Sequence, residues 1–317
     1  MPTLKDVARH VGLSVTQVSR ALNDHADVSA ETKTRVRQGA LEIGYRPNLA
    51  ARTLKSGRSG SVAMIVPGRS ETVEVELLME SVMGLSAEFS RRGLRFLLHV
   101  LGPGDDPVAA LETLVHGGGI DGFVLTDPVL NDPRVASLTA SGTPFVLHGR
   151  DRADAAYPFV DIDNRAVGHA LASTLTTRGA RRIALVGGPE DRPYTLFRRE
   201  GIDAALATAG ARLVADLPGP MTEARGRAAA DSLPPDGIDG VIAGNMMLAA
   251  GLRAALPDIP LAVHDDRLFA FDPARLSGPL MRTEAPLDAA WAPLCDALVQ
   301  AIDGEIPQVI LPFQTHG

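Results

Sequence analysis

Only one cysteine, Cys295, occurs in 317 residues, so no internal disulfide forms and a reducing compartment is the expectation. Long apolar runs are missing too, and none approaches the roughly 20 residues that span a bilayer. MPTLKDVARH at the N-terminus has no apolar stretch behind its lysine, so no signal peptide is expected and the cytoplasm is the expected location. Several chemistries lack their residues. The glycine turns VGGPED and IVPGRS match neither a Walker loop nor G-x-G-x-x-G, and no G-x-S-x-G elbow occurs. The eight histidines, scattered from His10 to His316, show no metal-ligand spacing, and one cysteine supports no zinc site. Asp105 and Asp106 lie in a Gly/Pro loop and read as solvated turn residues. No catalytic residue, metal or cofactor is expected.

What is present suits a folded chain of two or three domains, with 45% hydrophobic and 22% charged residues. The net charge of -7 is unevenly spread. Residues 1–60 hold ten Lys/Arg against five Asp/Glu, a net of +5, while the remainder holds 21 against 33, a net of −12. A basic head on an acidic body is the distribution expected if only the head meets a polyanion. Chance variation in surface charge is the plainer reading.

Three short helices are legible in the first 45 residues. Leu4, Val7, Ala8 and Val11 follow i, i+3, i+4, i+7 spacing before Gly12. Ser14 suits the cap of a second helix carrying Val15, Val18 and Leu22. Ser29 suits the cap of a third, with Val36, Ala40 and Ile43 on one face and Gly44 ending it. Two short helices around a tight turn, braced by a third, form the helix-turn-helix layout. In that layout Val15, Thr16 and Arg20 point outward, and arginine is able to bond guanine O6 and N7 together. A three-helix protein-binding module is the competing reading.

The runs TLKDVARHVGLSVTQVSRALN and VSAETKTRVRQGALEIGYRPNLAARTLKSGRS resemble the head of the lactose-repressor (LacI/GalR) family over about 58 residues. The resemblance implies DNA contacts from Thr3, Leu4, Ser14, Val15, Thr16, Ser19, Arg20 and Asn23. It also implies a second contact set, Asn48, Ala51 and Leu54, on a hinge helix that enters the minor groove, with Leu54 as the wedge between base steps. Physically, Pro47 suits a first helical turn and Asn48 to Leu54 allow about two turns, too few to be stable alone in water. An ordinary linker is the alternative. The expected division is a head over 1–46, a hinge over 47–59 and a sensing and dimerisation domain over 60–317.

Beyond residue 60, short apolar strands alternate with amphipathic helices. Strands are expected at 61–66, 94–100, 120–126, 143–148, 159–162, 182–187, 240–244 and 260–264; the main helices are Val75–Arg92, Asn164–Arg178, Thr195–Ala209, Met247–Ala255 and Asp288–Ile302. Such alternation indicates parallel sheets covered on both faces. The expected fold is an all-α helix-turn-helix head plus an α/β sensor with two doubly wound lobes. VDIDNRAVGHALASTLTTRGARRIALVGGPE and FRREGIDAAL are similar to the family's sensor, which looks like a periplasmic sugar-binding protein. Lobe boundaries are expected at about 60–158 with 286–309, and 159–285 with 310–317.

Ligands bind such sheets outside the carboxyl ends of the strands, which places a pocket between the lobes. Arg198 follows RIALVGG in an R-x-x-G spacing with Gly201, and the resemblance makes it a clamp on ligand hydroxyls or a carboxylate. A surface arginine is the alternative. By the same resemblance Asp265 accepts from ligand hydroxyls, while Asp266 reads as a turn carboxylate. His148, Arg150 and Asn245 end strands, and Asp163 and Asn164 are either caps or contacts. Met246 and Ala285 stand at positions more often polar in the family and suggest a less polar pocket wall. With three Tyr and one Trp, stacking on a sugar would fall to Phe or to Trp291, although core or dimer packing suits Trp291 better.

The resemblance implies a sequence-specific DNA-binding regulator, a repressor controlled by a sugar or glycoside. A regulator answering a nucleobase or sugar phosphate as corepressor is the alternative, and a transport binding protein is disfavoured by the fused head. A homodimer on a pseudo-palindromic operator, with no membrane partner, is expected. Residues 303–317 contain two prolines and no heptads, so no tetramer-forming helix is expected.

Overall fold

A computed structural model describes residues 2–22, 25–45, 58–66, 72–234, 237–267 and 276–317, with only the backbone at 72–76. It separates into two compact units, residues 1–59 and 60–317.

The first unit holds α1 (Leu4–Val11), α2 (Val15–Leu22) and α3 (Ala30–Glu42). Val7, Ala8, Val18, Ala21, Val36 and Ala40 form its buried core. Each helix start is tied down by its own side chains. Asp6 accepts from both the backbone N (2.8 Å) and the hydroxyl (2.7 Å) of Thr3, and these bonds hold the Asp6 carboxyl below its ordinary range. Ser14 Oγ accepts from Gln17 N (3.2 Å) while Gln17 Oε1 accepts from Ser14 N (3.0 Å), a reciprocal capping box. Ser29 Oγ accepts from Thr32 N at 3.3 Å. Gly12, with φ 68°, closes α1 in the left-handed region and permits the tight turn into α2.

The second unit contains two six-stranded sheets. Sheet one uses β1 (Ser61–Val66), β2 (Arg95–Val100), β3 (Gly122–Leu125), β4 (Phe145–His148), β5 (Phe159–Ile162) and β11 (Gln308–Leu311), in the order β11-β5-β4-β3-β1-β2, all parallel. Around it lie α4 (Thr72–Arg91), α5 (Pro107–Gly117), α6 (Pro133–Ser141) and, late in the chain, α11 (Trp291–Ile302). Sheet two uses β6 (Arg182–Val186), β7 (Arg212–Leu217), β8 (Gly240–Ala243), β9 (Leu261–Asp265), β10 (Leu280–Glu284) and β12 (Gln314–His316), ordered β12-β10-β9-β8-β6-β7. Only the β10–β12 pair is antiparallel. Its helices are α7 (Asn164–Thr176), α8 (Pro193–Ala209), α9 (Glu223–Asp231) and α10 (Met246–Ala255).

Strand alternation explains why both faces are covered. Val62, Met64 and Val66 pack with Leu85 and Phe89 of α4 and Trp291 of α11, while Ala63 and Ile65 pack with Leu111 of α5 and Leu138 of α6. In sheet two, Ile183 and Leu185 face Val167 and Ile202, while Ala184 and Val186 face Leu248 and Leu252. Apolar residues at consecutive positions are therefore required, as doubly wound sheets demand.

The lobe boundary differs from the sequence expectation. β5 pairs with β4 and β11 in sheet one, so the chain crosses to the second lobe after Ile162 and not at 158, because Val160 belongs to the core under α4 and α11. Likewise Ile310 and Leu311 lie in sheet one, so the return crossing follows Leu311, not residue 309. Four strands escaped the sequence reading: β7, β10, β11 and β12 are edge or near-edge strands whose charged and polar residues break the apolar run.

Candidate functional sites

On the head, Val18 and Ala21 of α2 are buried, which turns Val15, Thr16 and Arg20 to the exposed side. Val15 therefore does not join the apolar core face read for it, and is 39% exposed. Arg20 is half-exposed and its Nη2 lies 2.6 Å from Asp27 Oδ2, so the guanidinium is held near the end of α2 by a carboxylate that DNA phosphate or a base edge must compete with. Thr3 and Ser14 act as helix caps, as described, and both remain exposed; Ser19 is half-buried. Leu4 is half-buried against the head core. Asn23, Asn48, Ala51 and Leu54, and with them the hinge helix, lie outside the described residues.

In the body, the carboxyl ends of β4, β5, β6, β8 and β9 carry a connected polar set. Arg198, in the second turn of α8, donates from Nε to Asn164 Oδ1 (2.8 Å) and from Nη1 to the Gly244 carbonyl (3.2 Å), with its guanidinium 5.4 Å from the Tyr194 ring centre. Asn164 Nδ2 donates to Asp161 Oδ1 (3.1 Å), and Asp161 Oδ2 accepts from Arg150 Nε (2.8 Å). A chain of four side chains thus runs from the first lobe into the second. Arg150 also lies 5.4 Å from the Phe159 ring centre and 5.6 Å from that of Phe197, one in each lobe. Burial pushes the Asp161 carboxyl up against the opposing pull of Arg150.

Two glycines set Arg198 in place. A Cβ at Gly168 would collide with the Arg198 carbonyl, and one at Gly201 with the Arg165 carbonyl. Their absence of side chains lets α7 and α8 approach backbone to backbone, which gives the R-x-x-G spacing a packing cause. Arg198 is partly buried, and burial lowers its pKa, but a guanidinium stays charged. Its Nη2 makes no hydrogen bond to the described residues. Beside it is a small cavity lined by Gly187, Gly188, Tyr194, Thr195 and Met221, where the buried Thr195 hydroxyl has no partner among the described residues.

The two neighbouring aspartates sit in different surroundings. Asp265, 3% exposed, is the last residue of β9; its Oδ1 accepts from Arg267 N (2.7 Å) and its Oδ2 lies 3.3 Å from Arg282 Nη1 on β10. Asp266, half-exposed, has Oδ1 3.2 Å from Nε2 of the buried His264. Partial burial pushes the Asp266 carboxyl up, but its contact with His264 and the positive charge of Arg198 hold it below the ordinary carboxylate range. Asp266 is consequently the carboxylate that shares a field with Arg198 and His148, because successive strand residues point to opposite faces. Asp161, Tyr194 and Thr195, which also neighbour Arg198, were not singled out from the sequence.

Other expected contacts have structural work. Asp163 caps α7, accepting from Ala166 N at 3.0 Å. Asn245 caps α10 through Leu248 N (2.9 Å) and donates to the Met221 carbonyl (3.2 Å). His148 lies edge-on to Trp291, ring centres 5.8 Å apart, and burial lowers its pKa. Trp291 belongs to the first-lobe core and Met246 to the second-lobe core. Among the described residues no cluster of three or more His, Cys, Asp or Glu is placed to hold a metal, and no helix is long and apolar enough to cross a membrane.

A helix-turn-helix unit followed by two parallel α/β lobes, with polar residues gathered at the strand ends between them, defines a ligand-sensing DNA-binding regulator. Comparison with known proteins agrees. Residues 3–48 match the family model described as bacterial regulatory proteins, lacI family. Residues 59–257 match that of periplasmic binding proteins and the sugar binding domain of the LacI family. The chain belongs to the LacI family of transcriptional regulators. It is 35% identical to the HTH-type transcriptional regulator AglR of Rhizobium meliloti (strain 1021), over 96% of this chain and 90% of that protein. It is 30% identical to the HTH-type transcriptional regulator CelR of Thermobifida fusca, over 99% and 96%. Among solved structures, a CelR–cellobiose complex superposes with a TM-score of 0.68 at 27% identity, covering 100% of this chain and 99% of that one. The lac repressor dimer bound to operator and the anti-inducer ONPF superposes with a TM-score of 0.76 at 20% identity, over 99% and 97%, and speaks to the fold.

Proposed function

We propose that this protein is a cytoplasmic repressor that binds a pseudo-palindromic operator as a homodimer and is controlled by a neutral sugar or glycoside in the cleft between its lobes. The observation that carries the ligand assignment is the polar chain at the strand ends between the lobes, Arg150–Asp161–Asn164–Arg198, whose Arg198 Nη2 makes no hydrogen bond to the described residues and lies in the field of the Asp266 carboxylate. Asp161 and Asp266 place negative charge near the same arginine, which disfavours a sugar phosphate or another anion. The cellobiose held by CelR in its solved complex suits the same ligand class.

In this reading Arg198 and Asp266 hold the ligand, His148 and Arg150 line the first-lobe side, and Asp163, Asn245 and Asp265 act through structure. Val15, Thr16 and Arg20 read bases. Exposed Leu77, Met79 and Met83 of α4 with Leu97, Leu98 and Val100 of β2 give the second copy an apolar surface. The test is calorimetric titration of the purified protein with cellobiose, maltose, raffinose and adenine, repeated on Arg198→Met. A sugar that binds the parent and binds the variant roughly ten- to a hundredfold more weakly supports the assignment. Equal affinity for parent and variant places the pocket elsewhere.

A further inference from the structure

The loop after β3 is built more firmly than a connection requires. Asp127 and Asn131 both have φ 51°, a left-handed conformation that costs energy for residues other than glycine and that Asp and Asn tolerate best. Arg134 spans the loop from below: Nη2 donates to the carbonyls of Thr126 (3.1 Å) and Asp127 (3.3 Å) and lies 2.6 Å from Asp132 Oδ2. Asp132, 1% exposed, accepts from Val129 N at 3.3 Å, and its own N donates to Asp151 Oδ2 at 2.9 Å. Asp151 is fully buried and accepts from the Tyr157 hydroxyl. Two buried carboxylates, an arginine and a tyrosine thus fix the shape of six residues.

That shape presents polar groups to the other lobe. Leu130 N donates to the Asp191 carbonyl (3.2 Å), and Arg192 Nη2 lies 3.3 Å from Asp127 Oδ2. Residues 191 and 192 immediately precede α8, whose first turns carry Tyr194 and Arg198. We propose that the 127–131 loop is a preorganised latch that holds the two lobes together by gripping residues 191–192, at the mouth of the cleft that Tyr194 and Arg198 line. A strained backbone persists only where its surroundings over-determine it, and here the residues at both ends of the latch bear that strain. Because the grip falls just ahead of α8, opening the latch and loosening the cleft wall are one motion. A ligand that binds the closed arrangement better then strengthens the latch, and the latch in turn raises ligand affinity.

The test needs no ligand. Spin labels are placed on Thr139→Cys in α6 and Thr208→Cys in α8, both exposed; the native Cys295 is buried. Distances are read by double electron–electron resonance on full-length protein diluted with unlabelled chain. Asp127→Asn and Arg192→Gln should each enlarge the long-distance population, by up to about fivefold as expected for an exposed ion pair. The double variant should open no further than either single one, and Arg192→Lys, which keeps the charge, should stay near the parent. An unchanged distribution in Arg192→Gln overturns the latch, as do effects of the two substitutions that simply add. Parental helix content by circular dichroism in each variant separates lobe opening from unfolding.

Discussion

His264 Nε2 and Asp266 Oδ1 stand 3.2 Å apart at the end of β9, yet the histidine is fully buried and its burial keeps it on the neutral side. The nearby positive charge of Arg198 works in the same direction, and the attraction of Asp266 does not reverse it. Its Nδ1 is engaged with Thr283 Oγ1 at 2.9 Å.

A pH dependence follows from the sign of that shift. In the unfolded chain His264 takes a proton near its ordinary value of 6.5, whereas the folded form resists until lower pH. The unfolded state then binds more protons, so stability is fully present above 6.5 and declines as pH falls below it, at most about 1.4 kcal/mol per pH unit for one proton. His148, lowered in the same sense, adds to the slope. Thermal unfolding between pH 7.5 and 5 should show melting temperature falling with pH, less steeply in His264→Gln; equal slopes would remove His264 from the account.

The neighbouring aspartates should separate cleanly. Asp266→Asn removes the carboxylate that shares a field with Arg198 and should weaken sugar binding by about 1.5–3 kcal/mol. Asp265→Asn loosens the link to Arg282 and the Arg267 backbone, so it should lower melting temperature with little change in ligand affinity. Calorimetry and thermal melts on the two variants decide, and the opposite pattern restores Asp265 to the pocket.

Gly168→Ala tests how Arg198 is positioned. The added methyl meets the Arg198 carbonyl, a backbone group that cannot rotate away, so α7 and α8 must part. Overpacking of this kind costs about 1–3 kcal/mol, and the sugar response should fall with it although no polar contact has been removed. Full stability with full ligand affinity would show that the helices have room to spare.

At the head, Arg20→Ala should reduce discrimination between operator and random DNA by about 1–3 kcal/mol if the guanidinium reads a guanine. Since Asp27 also holds Arg20, Asp27→Ala should leave the head folded and free the arginine. Fluorescence anisotropy against operator and scrambled duplexes measures both, and an Arg20→Ala head that keeps its full preference is not reading through this residue.

Local pattern alone was enough for the three head helices, the Ser14 and Ser29 caps and the eight apolar strands, because caps and core periodicity act within a few residues. Arg198 was singled out through the family resemblance, and in the fold it stands among the polar groups at the strand ends. What local pattern does not carry is direction across the fold. Whether Asp265 or Asp266 turns to the cleft depends on the register of β9 against β10, and whether Asp163 and Asn245 serve ligand or backbone depends on which N–H groups α7 and α10 leave unpaired. The assignment of β5 and β11 to one sheet was set by pairing across more than 140 residues, with Val160 seeking the core under α11. Contacts such as Asp127 with Arg192 exist only because two lobes, each folded around its own sheet, bring loops 65 residues apart to one cleft.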